Sequence, residues 1–445
     1  MKRVPRGTLF SLHENGGVAK SAEYLLPSSD AARAMRVWIF SKPYLLLFAA
    51  LSPIQAYSVL THEAIVDAVW LTAMQPALKS KFPAATAADF LKAHSYAYGG
   101  CLIQDLGYYP FGSHLFTDLT HYIRSADFVQ ALLDEATDIN ELAFALGAVS
   151  HYHADVQGHS IAVNRSVALL FPELRRKFGD VVTYADNPGA HLRTEFGFDV
   201  LEVAKGHYAP AAYHDFIGFN VAKDLLERAF HRTYGLSLKD VFSNLDLTLG
   251  TFRYSVRSLI PNATKLAWDL KKKEILNRQP GLSRNTFLYN LKRSSYEKEW
   301  GNVYEKIGWR TRLLSTLLRI VPRVGPFRGF GFRTPTAETE HLFEDSFDST
   351  VARDQETIRG ALASGNLRIT NRDLDTGQPI SPGEYELTDR TYDNLLIKLA
   401  HKQFDSVSPE LRANILAFYG QSQTPEPHGV DSQIAALRLF QPPTR

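Results

Sequence analysis

His151, Asp155 and His159 stand four residues apart, and His191 and Glu195 repeat that spacing further along. On an α-helix, side chains four apart share one face and lie a few ångströms from each other. The stretch from Glu141 to His159 has no proline and carries apolar residues at helical period, so it is predicted to be one long helix. Imidazole nitrogens combined with carboxylate oxygens form the ligand set that suits zinc and related transition metals. The single cysteine, Cys101, excludes a thiolate-rich site. One His pair at this spacing is commonly a solvated surface feature. Two such sets within about fifty residues point instead to metal.

Upstream, His62 follows Tyr57-Ser-Val-Leu-Thr, Asp105 sits in the glycine-flanked stretch Gly99–Gly107, and His114 follows Phe111-Gly-Ser. Taken singly, these are the marks of a helix start or a turn. Their order matters more: His62, Asp105, His114, then His151, Asp155 and His159, then His191 and Glu195. That order resembles the zinc-dependent phospholipase C family and the related single-strand-specific zinc nucleases, over roughly Tyr57 to Asp199. The resemblance implies three zinc ions per chain in an all-α bundle. By it, Asp105, His114, His151 and Asp155 would hold the first zinc, and His159, His191 and Glu195 the second. His62 and a bridging Asp155 would hold the third, with the amino nitrogen and carbonyl oxygen of a mature N-terminal residue. It also implies a catalytic role for Asp105, orienting or deprotonating the attacking water.

The last ligand directs attention to the N-terminus. Met35–Lys42 is basic, Tyr44–Leu51 is an apolar run of eight residues, and Ser52–Ala56 supplies a break ending in a small residue. This is the pattern of a secretory signal, and the run is far short of the ~20 residues a membrane span requires. Cleavage after Ala56 would expose Tyr57 five residues before His62, the spacing the zinc nucleases use with tryptophan in that place. Residues 1–34 precede the signal, and Met35 is the expected initiator.

Composition fits an exported globular enzyme. Removing residues 1–56 takes seven of 49 Lys/Arg and three of 47 Asp/Glu, leaving 42 basic against 44 acidic residues. That balance gives no electrostatic case for a stable nucleic-acid partner. With one cysteine there is no internal disulfide.

The elements that must position these residues are helices throughout: 61–79, 86–98, 125–135, 140–164, 166–178, 188–205, 207–232, 236–275, 286–320, 336–363, 387–403 and 407–419 are predicted helical. Long alternating strands are not predicted, so the fold class is all-α, a multi-helix bundle enclosing the zinc site. Glycine and proline at 322–335 mark a break, dividing the mature chain into a catalytic core at 57–321 and a C-terminal helical region at 336–420 packed on it. A second turn-rich stretch runs from Asn371, and 421–445 is expected to be a loosely ordered tail.

Other features divide between two readings. Arg310, Arg312, Arg319 and Arg323 punctuate an apolar helix at 309–321, which either packs its leucines on the core or lies against an anionic membrane surface. Tyr108, Tyr109, Phe111 and Phe116 surround Asp105 and His114 as loop packing, as a cation–π wall for a choline headgroup, or as a stacking platform for a base. His153 points off the ligand stripe, and His94, His121, His207 and His214 show no partner pattern.

Together these expectations describe a secreted or periplasmic zinc-dependent phosphodiesterase. It would hydrolyse the headgroup P–O bond of a phospholipid with a metal-activated hydroxide, with no transmembrane helix in the mature chain. A single-strand zinc nuclease or nucleotidase is the alternative, and a zinc-stabilised binding protein without turnover is a third. Glu195, where an Asp would suit the nucleases, leans to the phospholipase branch. The four-residue gap from Asp155 to His159 departs from better-known members of both, whose gap is longer and contains proline.

Overall fold

The computed structural model describes residues 59–205, 219–254, 332–421 and 429–441, together with 273 and 277. The expected signal, Tyr57, His207, His214, the helix at 286–320 and its arginines lie outside these residues. Among the described residues there is no strand, only an isolated bridge between Arg372 and Pro379.

Helix α1 (Val59–Val69) passes through a π turn (Trp70–Met74) into α2 (Gln75–Lys81), and α3 is Ala87–Leu102. A 3-10 turn (Ile103–Tyr108) leads to α4 (His114–Tyr122) and α5 (Ser125–Glu135). Next, α6 (Ile139–Gln157) runs into a second π turn (Gly158–Val163), then α7 (Asn164–Leu170), α8 (Pro172–Phe178) and α9 (Pro188–Lys205). After residue 219 come α10 (Lys223–Tyr234), a short α11 (Leu238–Val241) and α12 (Leu245–Tyr254). The C-terminal segment holds α13 (Ala337–Ser364), α14 (Glu386–His401), α15 (Pro409–Gln421) and α16 (Asp431–Leu439).

Sequence chemistry accounts for most boundaries. Thr86 and Asp89 form a reciprocal capping box at the start of α3, and Asp138 accepts the Asn140 and Glu141 N–H groups at the start of α6. The predicted helix 166–178 divides at Phe171 because Pro172 cannot continue a helix but can begin one. Within the predicted 207–232, residues 219–222 are not helical: the Asn220 N–H donates to the Ser95 carbonyl on α3. The predicted 236–275 breaks before α12, where the Asn244 side chain accepts the Leu247 N–H. Among the described helices, two were not predicted. One is α4; the other is α16, in the expected loose tail, which buries Ile434 and Leu437.

The centre of the bundle is α6, whose residues from Leu142 to Val156 are all buried. A helix covered on every side must be packed on every side. Against α3 the contact is backbone to backbone: a Cβ added to Gly100 would stand 1.9 Å from the Phe144 carbonyl oxygen, and one added to Gly147 2.0 Å from that of Ala97. Only glycine permits such an approach. On another side lies α13, burying Phe343, Ser346, Thr350, Asp354, Ile358 and Ala361 at intervals of three and four. The helices α3, α4, α6 and α9 therefore face one interior with few degrees of freedom.

Candidate metal centre

Asp155 lies in the last turn of α6, fully buried. Its Oδ2 is 3.3 Å from His151 Nε2 and 3.1 Å from His121 Nε2, while Oδ1 is 3.5 Å from His62 Nε2. Asp105 completes this group, with Oδ1 3.4 Å from His121 Nε2 and Oδ2 3.8 Å from His62 Nε2. The His121 and His151 Nε2 atoms are 3.3 Å apart. A tetrahedral zinc with ligands at about 2.0–2.1 Å holds its ligand atoms roughly 3.3 Å from one another. Asp105, His121, His151 and Asp155 already present that spacing.

A second group, His159, His191 and Glu195, lies across the same cleft. Glu195 Oε1 is 2.9 Å from His191 Nδ1 and 3.4 Å from His159 Nε2. The predicted stripe of His151, Asp155 and His159 is thus divided between two groups. The reason is the π turn: the Asn164 N–H reaches back five residues to the His159 carbonyl, and the widened turn re-aims His159 towards α9.

The ring nitrogens turned away from each group fix the tautomers. His151 Nδ1 donates to the Cys101 carbonyl at 3.0 Å, and His121 Nδ1 to the Thr117 carbonyl at 2.8 Å. His191 Nε2 lies 2.8 Å from Asn164 Oδ1. A carbonyl oxygen can only accept, so in His121 and His151 the proton sits on the outer nitrogen and Nε2 keeps its lone pair for a cation. Buried Asp105 Oδ2, Asp155 Oδ1 and Glu195 Oε2 have no hydrogen-bond donor among the described residues. Buried oxygens of this kind cost several kcal/mol unless a cation or proton meets them. The donor set therefore fits zinc.

The protein's own charges partly compensate. Burial would raise the Asp155 carboxyl, but His151, His159 and His121 around it hold it well below the usual range. Burial raises Asp105, against the opposing pull of His151 and His121. Burial alone would lower His121 and His159. Instead, Asp105 and Asp155 hold His121 well above its ordinary value, and Asp155, Asp375 and Glu195 do the same for His159. His62 is pushed well below, chiefly by burial and by neighbouring His151.

Of the expected ligands, Asp105, His151 and Asp155 come together, as do His159, His191 and Glu195, and His62 joins the first set through Asp155. His114 does not join. It occupies the first turn of α4, exposed, with Arg390 near it, and its place in the group is taken by His121 two turns later on the same helix. Capping by Ser113 holds the start of α4 at the surface, and seven residues carry the chain into the interior. The burial of Phe116, Leu119 and Tyr122 on α4 is the signal that could have distinguished the two histidines. Asp105 is held on a buried 3-10 turn, not a mobile loop, with the Thr117 hydroxyl donating to Gln104 and accepting from Gly107.

A cleft of about 260 Å³ opens onto both groups, lined additionally by Tyr108, Tyr184, Leu192 and Asp375. Of the four aromatic residues expected near Asp105, only Tyr108 lines it. Tyr109 packs on Phe252, Phe116 on Phe230 and Phe242, and Phe111 is exposed. His153 bonds Thr357 of α13, and His94 stacks on Trp70 beside Asp67.

Comparisons with curated proteins and with solved structures return no match. Residues 61–244, a stretch holding His62 and both metal groups, match the family model for zinc dependent phospholipase C, a family of phosphodiester hydrolases.

Proposed function

We propose that this chain is an exported phosphodiesterase that hydrolyses the headgroup P–O bond of phospholipids and holds three zinc ions. The observation that carries the reading is the position of Asp155, one oxygen facing His121 and His151, the other facing His62, beside a second ligand group on the same cleft. His62, Asp155 and the backbone of an N-terminal Tyr57 would hold the third ion. Export rests on the basic and apolar pattern of residues 35–56. No helix among the described residues is long and apolar enough to cross a membrane.

Four carboxylates, Asp105, Asp155, Glu195 and Asp375, line the cleft. Such a surface repels a phosphodiester until cations sit between them. When bound, zinc ions supply that charge and bring the pKa of water towards neutrality. Asp105, raised by burial, is the carboxylate best suited to take a proton from the attacking water, since a base works best with its pKa nearer the working pH. Tyr108 and Tyr184 wall the cleft and limit bulk water.

The test is turnover by zinc-replete mature protein on phosphatidylcholine vesicles and on single-stranded DNA, side by side. Release of diacylglycerol and phosphocholine is expected. Nucleotide release without lipid cleavage would replace the phospholipase reading by the nuclease one. Full zinc content with no turnover on either would leave a binding protein.

A further inference from the structure

The family match ends at residue 244, yet one wall of the cleft comes from Asp375. This residue sits in a tight turn between α13 and α14. The Asp375 and Thr376 N–H groups donate to Asp373 Oδ1, and the Gly377 N–H closes the turn on the Asp373 carbonyl. Gly377 has a φ of 69°, and a Cβ there would stand 3.0 Å from the Val156 carbonyl, so glycine lets the turn press against the end of α6.

Every group on Asp375 is engaged. Its Oδ2 accepts from the Tyr122 hydroxyl at 2.8 Å and the Tyr385 hydroxyl at 2.6 Å. Its backbone carbonyl accepts from Asn164 Nδ2 at 2.7 Å, the amide whose oxygen meets His191 Nε2. Its remaining oxygen, Oδ1, lies 3.5 Å from His159 Nδ1, an ion-pair distance that is long for a hydrogen bond. The opposite ring nitrogen of His159 is the one that faces Glu195. Asp375 therefore stands behind the imidazole, in the place occupied by backbone carbonyls for His121 and His151.

We infer that Asp375 is a positioning residue for His159: it holds the proton on Nδ1 and the ring in register, so that the segment beyond the family domain completes the second metal group. Because the Asn164 amide joins its carbonyl to His191, one short turn orients both histidines of that group. This inference rests on the metal reading above, and it assigns to residues 371–378 a task that packing alone would not require. Partners of this kind change metal affinity or activity by about 10–100-fold when removed.

The test uses the full-length mature protein with Asp375→Ala, Asp375→Asn and, as a control, Tyr385→Phe. Metal retention is followed by elemental analysis against graded chelator, and the second group by the visible absorption of Co²⁺ substituted into it. Asp375→Ala should release the ion at His159, His191 and Glu195 about 10–100-fold more readily and alter its Co²⁺ spectrum, while the Asp105 group keeps its ion. Asp375→Asn should lose less, since an amide oxygen still accepts from Nδ1–H, and this isosteric variant carries the test if the alanine protein does not fold. Tyr385→Phe should leave the Co²⁺ spectrum near native. An unchanged chelator profile and spectrum in both Asp375 variants would overturn the assignment. So would equal loss from both groups with a lower melting temperature of the metal-free protein, which would mark a purely structural role. Native protein lacking an ion in the second group would instead remove the metal reading itself, before any variant is compared.

Discussion

His121 and His114 share one helix, yet only His121 approaches Asp105 and Asp155. In sequence both are histidines near an aspartate, and nothing in spacing alone separates them. The separation is made by burial, a property of the packed helix. His121→Ala should lose an ion from the first group and lower phosphodiester turnover by roughly a hundred-fold or more, whereas His114→Ala should stay within a few-fold. Zinc content and initial rates of the two proteins check this, and the reverse order would restore His114 as the ligand. Asp105→Asn separates chemistry from metal capture: an oxygen ligand remains, but a base is lost, so turnover should fall ~10²- to 10⁴-fold with zinc still at the other positions. A rate within a few-fold of native would leave Asp105 a ligand only. The i, i+4 pairs were legible because helical geometry alone puts their members side by side. Asp375 was not, because its part depends on a turn placed by tertiary contacts.

At the scale of elements, the sequence pattern located most helices but not their interruptions. The π turn after α6 leaves no mark in apolar periodicity, because Ala162 and Val163 remain buried on either reading. Its effect is the division of the ligand stripe. A comparable device orients α1, which carries His62. The Asp199 carboxylate on α9 accepts from the Leu60 and Thr61 N–H groups at 3.1 and 3.2 Å and from the Thr61 hydroxyl at 2.6 Å. These bonds tie the first described turn of α1 to α9 across the bundle, as a capping side chain does. Asp199→Ala should cost about 1 kcal/mol, in the range of lost N-caps, and weaken retention of the ion nearest His62 more than the others. Urea denaturation of the metal-free protein and stepwise chelation measure the two effects. Native stability with unaltered retention would refute the capping role.

For the whole molecule, the interior acids and histidines set a pH dependence of definite sign. Burial pushes Asp199 and Asp354 up to about 8 and, with Asp375 beside it, Asp373 up to about 7. These carboxyls keep protons in the folded chain that the unfolded chain has already released, so stability falls as pH climbs towards 8. His121 and His159, held above their ordinary value, contribute stability that is full below about 6.5 and is lost as pH rises through their folded values. Asp155 and Glu195, held low, add stability already complete above about 4.5. The metal-free protein should therefore melt lower at pH 8.5 than at pH 6. Zinc competes with protons for His121 and His159, so it should raise the melting temperature most at the higher pH. Scanning calorimetry with and without chelator checks both signs, and a metal-free protein more stable at pH 8.5 would contradict them. The all-α class was readable from period and composition. The joining of 337–421 to the metal cleft was not, since no local pattern records a partner hundreds of residues away.

The turn at 371–378 also has a meaning in time. Tyr122 and Asp375 meet across 253 residues of sequence, and Asn164 and Asp375 across 211. A chain is made from its N-terminus, and early segments begin to fold while later ones are still being synthesised. His62, both ligand groups and the whole family domain leave the ribosome before Asp375 exists. If Asp375 positions His159, the second group is completed only after residues 371–378 have been made, later than its own ligands. On that inference the order of synthesis is also an order of assembly, with the Asp105 group ready before the His159 group.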